Sequence, residues 1–322
     1  MAPLFLFCLF LTLSGTAIIL STASWVAIWV GLELSLFAFI PLVMNKVNRL
    51  NIEGTMKYYL VQAMGSGLLL MSGLLYIYYS LQFNFSDPLQ TPPLISLITL
   101  IAMSMKIGLF PFHSWFPTLM SSLEWSGCIL LNTVQKVGPI FLFSLFFLLT
   151  PMSSIILLGT ALTGGVGGLS QSKMRSLLAY SSFVHLAWIL CLSHLDLYYS
   201  SIYMMLYFLL SSIIFCLGHT YNFSLITISP SQKMVFFFGL LSLGGMPPLT
   251  GFIMKWFAIS TISLHSCFFL LSVLLIGTLL SLYYYLSLLF SAFFSIPLTP
   301  KPLNNMEILF VTLCGGGLLF CV

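Results

Sequence analysis

Long, nearly uncharged apolar stretches fill almost the whole of this chain, and they constrain its fold more than any other feature. Of its 322 residues, 60% are hydrophobic and only 5% are charged, whereas soluble domains carry about 25% charged residues. A helix of about 20 apolar residues crosses the hydrocarbon core of a bilayer. Runs this long do not alternate as barrel strands do, so we predict an all-α polytopic membrane protein.

Pro, Gly, Asn and charge clusters divide the chain into about eleven predicted transmembrane helices. The predicted spans are approximately 3–21, 24–44, 56–82, 93–118, 122–149, 153–170, 174–194, 198–219, 234–260, 266–295 and 306–322.

Two of the predicted spans are interrupted by helix-breaking residues. The run 93–118 contains Pro111 and Pro117, and the run 234–260 contains the segment 244–248 with the sequence GGMPP. A broken helix frees backbone groups inside the membrane, which is tolerated only where protein or water satisfies them. We therefore expect a hydrated cavity at each break.

The interrupted spans occupy corresponding places in two groups of five spans. Each is the fourth span of its group, which covers 3–149 or 153–295. Because five is odd, the second group would be inverted relative to the first, and paired broken spans are typical of inverted-repeat transporters. We predict a single membrane domain over 1–322, made of these two inverted repeats and a trailing helix at 306–322.

The loop charges orient the predicted spans. If the spans alternate in direction, the loop lysines and arginines all fall on one side of the membrane, which the positive-inside rule makes the cytoplasm or the matrix. We then expect the N-terminus inside and the C-terminus outside. The basic side receives Lys46, Arg49, Lys57, Lys173, Arg175, Lys233 and Lys301, and the opposite side receives Asp87, His194, Asp196 and His265.

The first apolar run is predicted to be a span rather than a targeting segment. Residues 1–20 lack a basic n-region and a small-residue cleavage site. We expect no Arg-rich transit peptide before this run. A mitochondrial location would therefore imply synthesis inside the organelle.

Four charged residues lie deep inside the apolar stretches: Glu33, Lys106, Lys136 and Lys255. A charge at the centre of a bilayer costs about 2.5–3.5 kcal/mol on insertion scales, and such residues mark ion pathways. Burial favours a neutral amine, while a nearby carboxylate favours the ammonium. A lysine whose carboxylate partner approaches or withdraws can therefore load and release a proton, so we predict a proton pathway.

Each of these residues has a structural alternative that the sequence leaves open. Glu33 is the natural partner of a lysine, and its structural alternative is a static buried ion pair. Lys255 lies closer to a span end and is within snorkelling range of the membrane surface. His185 lies in the middle of a span, where a histidine serves either as a proton-relay group or as a hydrogen-bonded packing residue.

Several functions are excluded by composition and motif content. A net charge of +4, scattered along the chain, does not favour nucleic acid as a partner. The seven cysteines lie in or beside apolar runs without metal-site spacing, which is typical of small packing residues. Phosphate-loop, nucleophile-elbow and zinc-protease motifs are missing. We therefore expect no metal and no cofactor bound to this chain.

Five short segments resemble one family, the antiporter-like membrane subunits of respiratory complex I. The segments are GLEL at 31–34, KIGLFPFHSWFP at 106–117, QKVGPI at 135–140, LAYSSFVH at 178–185 and GGMPPLTGFIMKW at 244–256. They occur in the family's order and are spread from residue 31 to residue 256, so the resemblance extends over most of the chain. The resemblance implies an antiporter-like domain.

The resemblance also implies roles for the five candidate residues. Glu33 and Lys106 would form the coupling ion pair, and Lys136 would be the central lysine. Lys255 would be the terminal lysine, toward the next antiporter-like subunit. His185 would lie between Lys136 and Lys255 on a hydrated axis. Proton translocation would be this chain's contribution to the complex.

The resemblance further implies a location and partners. The chain would cross the mitochondrial inner membrane several times, with its N-terminus in the matrix and its C-terminus in the intermembrane space. It would contact membrane lipids and other membrane-arm subunits of complex I, including neighbouring antiporter-like subunits. NADH, FMN, iron–sulfur clusters and ubiquinone would bind to partner subunits. Two alternatives stay open, a cation/proton antiporter subunit and a scaffold subunit without its own proton path.

Overall fold

The computed structural model describes residues 2–44, 49–80, 92–146, 151–220 and 230–293. These residues form α-helices joined by turns, and no β-strand occurs among them. In a membrane only a helix satisfies all of its backbone polar groups within one segment. The helices are α1 Ala2–Ser21, α2 Trp25–Val43, α3 Arg49–Ser80, α4 Pro93–Ile107, α5 Trp115–Ser122, α6 Trp125–Asn132, α7 Val134–Phe146, α8 Pro151–Leu169, α9 Met174–Leu195, α10 Leu197–Thr220, α11 Pro230–Gly244, α12 Thr250–Leu264 and α13 Phe268–Phe293.

Eight helical stretches within the described ranges are long and apolar enough to cross a membrane. They confirm the prediction of an all-helical polytopic membrane protein. The predicted span 306–322 lies outside the described residues, and the number of spans and their inverted repeat stay predictions. The eight stretches are Pro3–Ser21, Trp25–Val43, Arg49–Ser80, Trp125–Leu145, Pro151–Leu169, Met174–Leu195, Leu197–His219 and Phe268–Phe290.

Most serine and threonine hydroxyls in these helices bond to their own helix. Ser35 donates to the carbonyl of Leu32 at 2.8 Å, and Ser104 donates to the carbonyl of Ile101 at 2.7 Å. This back-bonding satisfies a hydroxyl where no water is at hand. A serine or threonine on a helix is therefore not by itself a sign of a polar path.

The predicted interruption of span 93–118 is present, but a glycine begins it. Helix α4 ends at Ile107, and Gly108 follows in the left-handed conformation with φ +81°. Glycine adopts this conformation without the steric cost that a Cβ brings. Pro117 does not interrupt the helix, because it lies in the first turn of α5, where a backbone N–H has no helical partner in any case.

The second predicted interruption, at 244–248, is also present. Helix α11 ends at Gly244, Gly245 has φ +78°, and α12 begins at Thr250. A Cβ placed on Gly251 would overlap the carbonyl of Ser242. The two half-helices therefore approach each other so closely that only glycine fits at this position.

A third discontinuity, at Thr133 inside the predicted span 122–149, was not among the predicted interruptions. Thr133 has φ −110° and ψ −81° and separates α6 from α7. Its hydroxyl donates to the carbonyl of Ile129 at 2.7 Å, a contact that bends helices. Pro139 in α7 removes a further helical hydrogen bond. No glycine or proline lies next to Thr133, so the sequence does not predict this discontinuity.

The chain divides into two compact units. Unit 1 consists of residues 1–159 and Lys173–Ala179 and contains α1 to α7; unit 2 consists of Thr160–Ser172 and the described residues from Tyr180 onward and contains α10 to α13. In unit 1, α1 packs on α2, α3 packs on α4 and α5, and α7 packs on α1, α4 and α6. In unit 2, α11 packs on α10, α12 and α13.

The contact between α1 and α2 depends on two glycines. A Cβ on Gly15 would lie 2.8 Å from the carbonyl oxygen of Gly31, and a Cβ on Gly31 would lie 2.8 Å from the carbonyl oxygen of Gly15. Small residues allow membrane helices to pack backbone against backbone. This contact seats α2 in unit 1.

We expect Gly15→Val to destabilise the protein by about 1–3 kcal/mol, the usual range for overpacking. The valine side chain would push α1 away from the backbone of α2. Thermal unfolding of the protein in detergent measures the loss. The matched control is Gly67→Val, because a Cβ on Gly67 meets nothing within 4 Å. Equal melting temperatures for the two variants would contradict the close-packing argument.

Candidate functional site in unit 1 and unit 2

Lys106 lies at the break that ends α4. Its side chain is buried in unit 1, with 5% of its surface exposed. Its carbonyl, which has no helical donor beyond the break, accepts a hydrogen bond from Nε2 of Gln62 at 3.0 Å. Gly65 leaves room for the lysine stem, because a Cβ there would lie 3.2 Å from Cγ of Lys106. Helix α3 therefore supplies both the space and the cap that hold this lysine.

Lys136 lies in the first turn of α7, directly after the discontinuity at Thr133. Its side chain is 3% exposed, and Nζ donates to Oδ1 of Asn132 at 2.8 Å. The ammonium also lies 4.2 Å from the ring centroid of Phe116, a distance at which a cation is attracted to an aromatic face. Both contacts favour the protonated amine.

Lys106 and Lys136 line the same cavity in unit 1. Gln62 and Gln135 contribute amides to its wall, and its volume is about 20 Å³. A cavity of at least 10–15 Å³ with polar partners can hold one water molecule. The Nε2 atom of Gln135 also donates to the carbonyl of Ser35 at 3.0 Å. The cavity is therefore large enough for one water, and both buried lysines line it.

Aromatic rings close this cavity. Tyr58 packs on Trp115 with ring centroids 5.4 Å apart, and both line the cavity. The buried indole N–H of Trp115 has no hydrogen-bond partner among the described residues. An unpartnered donor on a cavity wall favours a polar occupant, because burying it without a partner costs about 1–3 kcal/mol.

Glu33 is half-buried on α2. Its carboxylate lies within electrostatic range of Lys106 and of the Tyr58 hydroxyl. Across the described part of the chain, no ion pair within 4.0 Å joins Glu33 to Lys106. The structure thus brings the two residues into one neighbourhood, and their direct ion pair stays a prediction.

Lys255 lies in the second turn of α12, in unit 2. Its side chain is 7% exposed, and Nζ donates to the carbonyl of Gly244 at 2.5 Å. A Cβ on Gly245 would lie 2.8 Å from this Nζ, so glycine leaves the space that the amine occupies. The ammonium therefore points to the C-terminal end of α11, where the helix dipole attracts a cation.

His185 lies in the middle of α9 and is buried in unit 2, with 3% of its surface exposed. Its Nδ1 atom lies 3.1 Å from the hydroxyl oxygen of Tyr203. Its ring stacks on the ring of Tyr207 with centroids 4.7 Å apart. The histidine therefore has a hydrogen-bonding neighbour, which both a relay role and a packing role allow.

Sequence reasoning missed the residues that hold the lysines. Asn132 precedes Lys136 by four positions, the spacing at which helical side chains meet, so this partner had a local signal. Gln62 is 44 residues from Lys106, and no local pattern connects them. Asn132 and Gln62 are both uncharged amides inside apolar helices, and this feature of the sequence could have identified them as candidate partners of the lysines.

No group of three metal-ligating side chains occurs within the described ranges. The ionisable side chains that meet in the cavity of unit 1 are amines and a phenol, which suit proton transfer. Fold and site together define a helical membrane protein whose buried lysines lie at breaks in its helices.

Comparisons with known proteins identify the family. The family described as NADH:quinone oxidoreductase/Mrp antiporter, transmembrane, matches residues 22–281. NADH-ubiquinone oxidoreductase chain 2 of Paracentrotus lividus is 36% identical to this chain over 88% of this chain and 83% of the relative. The protein of the same name from Nandinia binotata is 34% identical over 95% of this chain and 89% of the relative.

Solved structures share the fold. A chain of respiratory complex I from Thermus thermophilus has a TM-score of 0.85 at 21% identity, covering 99% of this chain and 79% of that chain. A chain of the Mrp complex from Dietzia has a TM-score of 0.79 at 18% identity, covering 93% of this chain and 62% of that chain. This chain therefore belongs to the NADH:quinone oxidoreductase/Mrp antiporter family, within it to the NADH-ubiquinone oxidoreductase chain 2 group, as its motifs predicted.

We expect Gln62→Leu to destabilise the protein by about 1–3 kcal/mol, because the buried carbonyl of Lys106 would lose its donor. Denaturant or thermal unfolding in detergent measures this change. The control is Gln171→Leu. Among the described residues, the amide of Gln171 donates only to Gly167 and Ser170, near the end of α8, so its loss leaves the break at Lys106 unchanged. If both variants unfold at the same temperature, Gln62 does not support the break.

Proposed function

We propose that this chain is a proton-translocating membrane-arm subunit of mitochondrial NADH:ubiquinone oxidoreductase, complex I. The observation that carries the proposal is the pair of buried lysines, Lys106 and Lys136, on one cavity of water size in unit 1. Relatives named NADH-ubiquinone oxidoreductase chain 2, at 36% and 34% identity over most of the chain, support the assignment to complex I.

In unit 1 the proton moves between the two lysines of the cavity. Loss of a proton from the Lys106 ammonium leaves a neutral amine, and the same proton, passed through one water, converts Lys136 from a neutral amine to an ammonium. The Glu33 carboxylate favours the charged form of Lys106, so any motion that weakens its field promotes release. Asn132 and the Phe116 ring then stabilise the new ammonium on Lys136.

In unit 2 we assign the corresponding roles to Lys255 and His185. Lys255 exchanges a proton with its surroundings at the break between α11 and α12, where the carbonyl of Gly244 accepts from it. His185 serves as a relay group, because an imidazole gains and loses protons near neutral pH. The five residues Glu33, Lys106, Lys136, His185 and Lys255 then make up the translocation path.

The finer architecture belongs to the same proposal. We assign about eleven spans, in two inverted repeats at 3–149 and 153–295 with a trailing helix at 306–322. The N-terminus lies in the matrix and the C-terminus in the intermembrane space, following the loop charges. Neighbouring antiporter-like subunits and lipids cover the apolar outer surface of the helices.

The redox reaction takes place in other subunits. NADH, FMN, iron–sulfur clusters and ubiquinone bind there, and this chain contributes proton movement to the NADH:ubiquinone reductase as a whole. The fold shared with the Mrp chain favours a cation/proton antiporter subunit as the second candidate. Lysines rather than carboxylates dominate the buried groups here, which disfavours binding of a metal cation such as Na⁺.

We expect Lys136→Met to lower the number of protons pumped per NADH oxidised without loss of the assembled complex. Methionine fills the space of the lysine stem and cannot carry the proton. Proton pumping is measured in sealed membrane vesicles during NADH oxidation, as acidification of the vesicle lumen or as quenching of a pH-sensitive dye. Assembly of the complex is followed on native gels. The control is Lys57→Met, because Lys57 is an exposed partner of Glu53 at 2.7 Å and lies outside the cavity.

The same assay separates the three candidate functions. Unchanged pumping in an assembled Lys136→Met complex would establish a scaffold role. Na⁺-dependent proton uptake that survives removal of the redox subunits would establish a free antiporter. A lower proton yield in an assembled complex, with the control unaffected, supports the proton path.

We expect Glu33→Gln to weaken coupling between NADH oxidation and pumping, because the glutamine removes the charge that acts on Lys106. The ratio of pumping rate to NADH oxidation rate measures coupling. Glu53→Gln is the control, since Glu53 is exposed and pairs with Lys57. A ratio of pumping rate to NADH oxidation rate equal to that of the parent protein in Glu33→Gln would show that Glu33 has no role in coupling.

A further inference from the structure

Arg175 lies in the first turn of α9, within unit 1, and is half-buried. Its guanidinium nitrogen Nη1 donates a hydrogen bond to the backbone carbonyl of Leu123. Its Cζ atom lies 5.6 Å from the ring centroid of Trp125, a distance at which a cation is attracted to an aromatic face. The loop charges give Arg175 a role in orienting the chain, and these two contacts point to a second role.

Leu123 is the residue at which the chain turns from α5 to α6. Helix α5 ends at Ser122, and Leu123 follows with an extended backbone, φ −67° and ψ 157°. Leu123 is buried, so its carbonyl needs a donor, and the charged guanidinium makes a stronger hydrogen bond than a neutral donor would. A second contact spans the same corner, because Sγ of Cys128 donates to the carbonyl of Met120 at 3.6 Å.

The corner at Leu123 matters because each of the two helices that meet there carries one partner of Lys136. Phe116, in the first turn of α5, has its ring centroid 4.2 Å from the ammonium. Asn132, the last residue of α6, accepts from Nζ at 2.8 Å. The angle between α5 and α6 therefore decides whether both partners reach the ammonium at the same time.

We propose that Arg175 is a positioning residue for Lys136: it fixes the corner between α5 and α6 and so keeps Phe116 and Asn132 at the ammonium. Arg175 transfers no proton itself. Loss of the guanidinium takes the charged donor from the Leu123 carbonyl and allows α6 to shift against α5. The Lys136 ammonium is then less stabilised. The inference rests on the proposed function, because a change at Lys136 affects pumping only if Lys136 carries the proton.

The test is Arg175→Met in the assembled complex, because methionine keeps an unbranched side chain but has neither the donor nor the charge. We expect fewer protons pumped per NADH oxidised, with a smaller loss than in Lys136→Met. This ratio does not depend on how much complex is assembled, so a loss of stability alone leaves it unchanged. Arg175→Lys should restore most of the yield, because an ammonium also donates to a carbonyl and is attracted to an aromatic ring.

The matched control is Lys173→Met, which removes a positive charge from an exposed residue two positions earlier in the chain. We expect it to leave the protons pumped per NADH unchanged. If Arg175→Met does not assemble, Arg175→Gln takes its place, because glutamine keeps an N–H donor and lacks the charge. An equal loss in the Lys173 and Arg175 variants would show an effect of surface charge and overturn the positioning role.

A double variant tests whether Arg175 acts through the partners of Lys136. In the Phe116→Leu background one of the two contacts is already lost. Arg175→Met should therefore remove a smaller fraction of the remaining proton yield there than in the parent complex, because residues that act through a shared contact are not additive. Equal fractional losses in the two backgrounds would overturn the positioning role.

The outcomes for the two residues can be told apart. A normal proton yield in Arg175→Met, with Lys136→Met defective, would overturn the role of Arg175 and leave the proposed function standing. A normal yield in Lys136→Met would overturn both.

Discussion

The burial of lysine amines inside apolar helices is the constraint on which the rest of this structure depends. A charged amine at membrane depth is expensive unless polar groups surround it, and an intact helix has already used its backbone groups in its own hydrogen bonds. Each of the three lysines that are buried in the described ranges lies near a helix discontinuity: Lys106 before Gly108, Lys136 after Thr133, and Lys255 after Gly245. The breaks release the carbonyl groups and the space that the amines need.

The three lysines differ in the polar groups that surround their amines. At Lys255 the freed backbone carbonyl of Gly244 itself accepts from the amine. At Lys136 the side chain of Asn132 accepts from the amine, and an aromatic face adds to the attraction. At Lys106 the side chain of Gln62 donates to the freed backbone carbonyl. The amine of Lys106 belongs to a residue that lines the cavity, and it feels the electric field of the Glu33 carboxylate. This least restrained amine is the one whose proton affinity a nearby carboxylate can most readily control.

Units 1 and 2 differ in the polar groups that accompany their ionisable residues. Unit 1 uses amides around a cavity of water size, whereas unit 2 uses phenols and an imidazole in close contact. Membership of the NADH:quinone oxidoreductase/Mrp antiporter family agrees with the proton path proposed above.

The sequence by itself determined the membrane class, the helical fold, the candidate charged residues and the fact that the runs 93–118 and 234–260 are interrupted. That the first interruption begins at Gly108, and that Pro117 does not contribute to it, came from the structure. Composition and helix-breaking residues act locally, so they can be read without a structure. Only the tertiary structure revealed the break at Thr133, the cap from Gln62 to Lys106, and the packing of Tyr285 on Gly244. These features depend on how each helix is rotated and shifted against its neighbours. Contacts between residues far apart in the chain set that arrangement, and no local pattern records it.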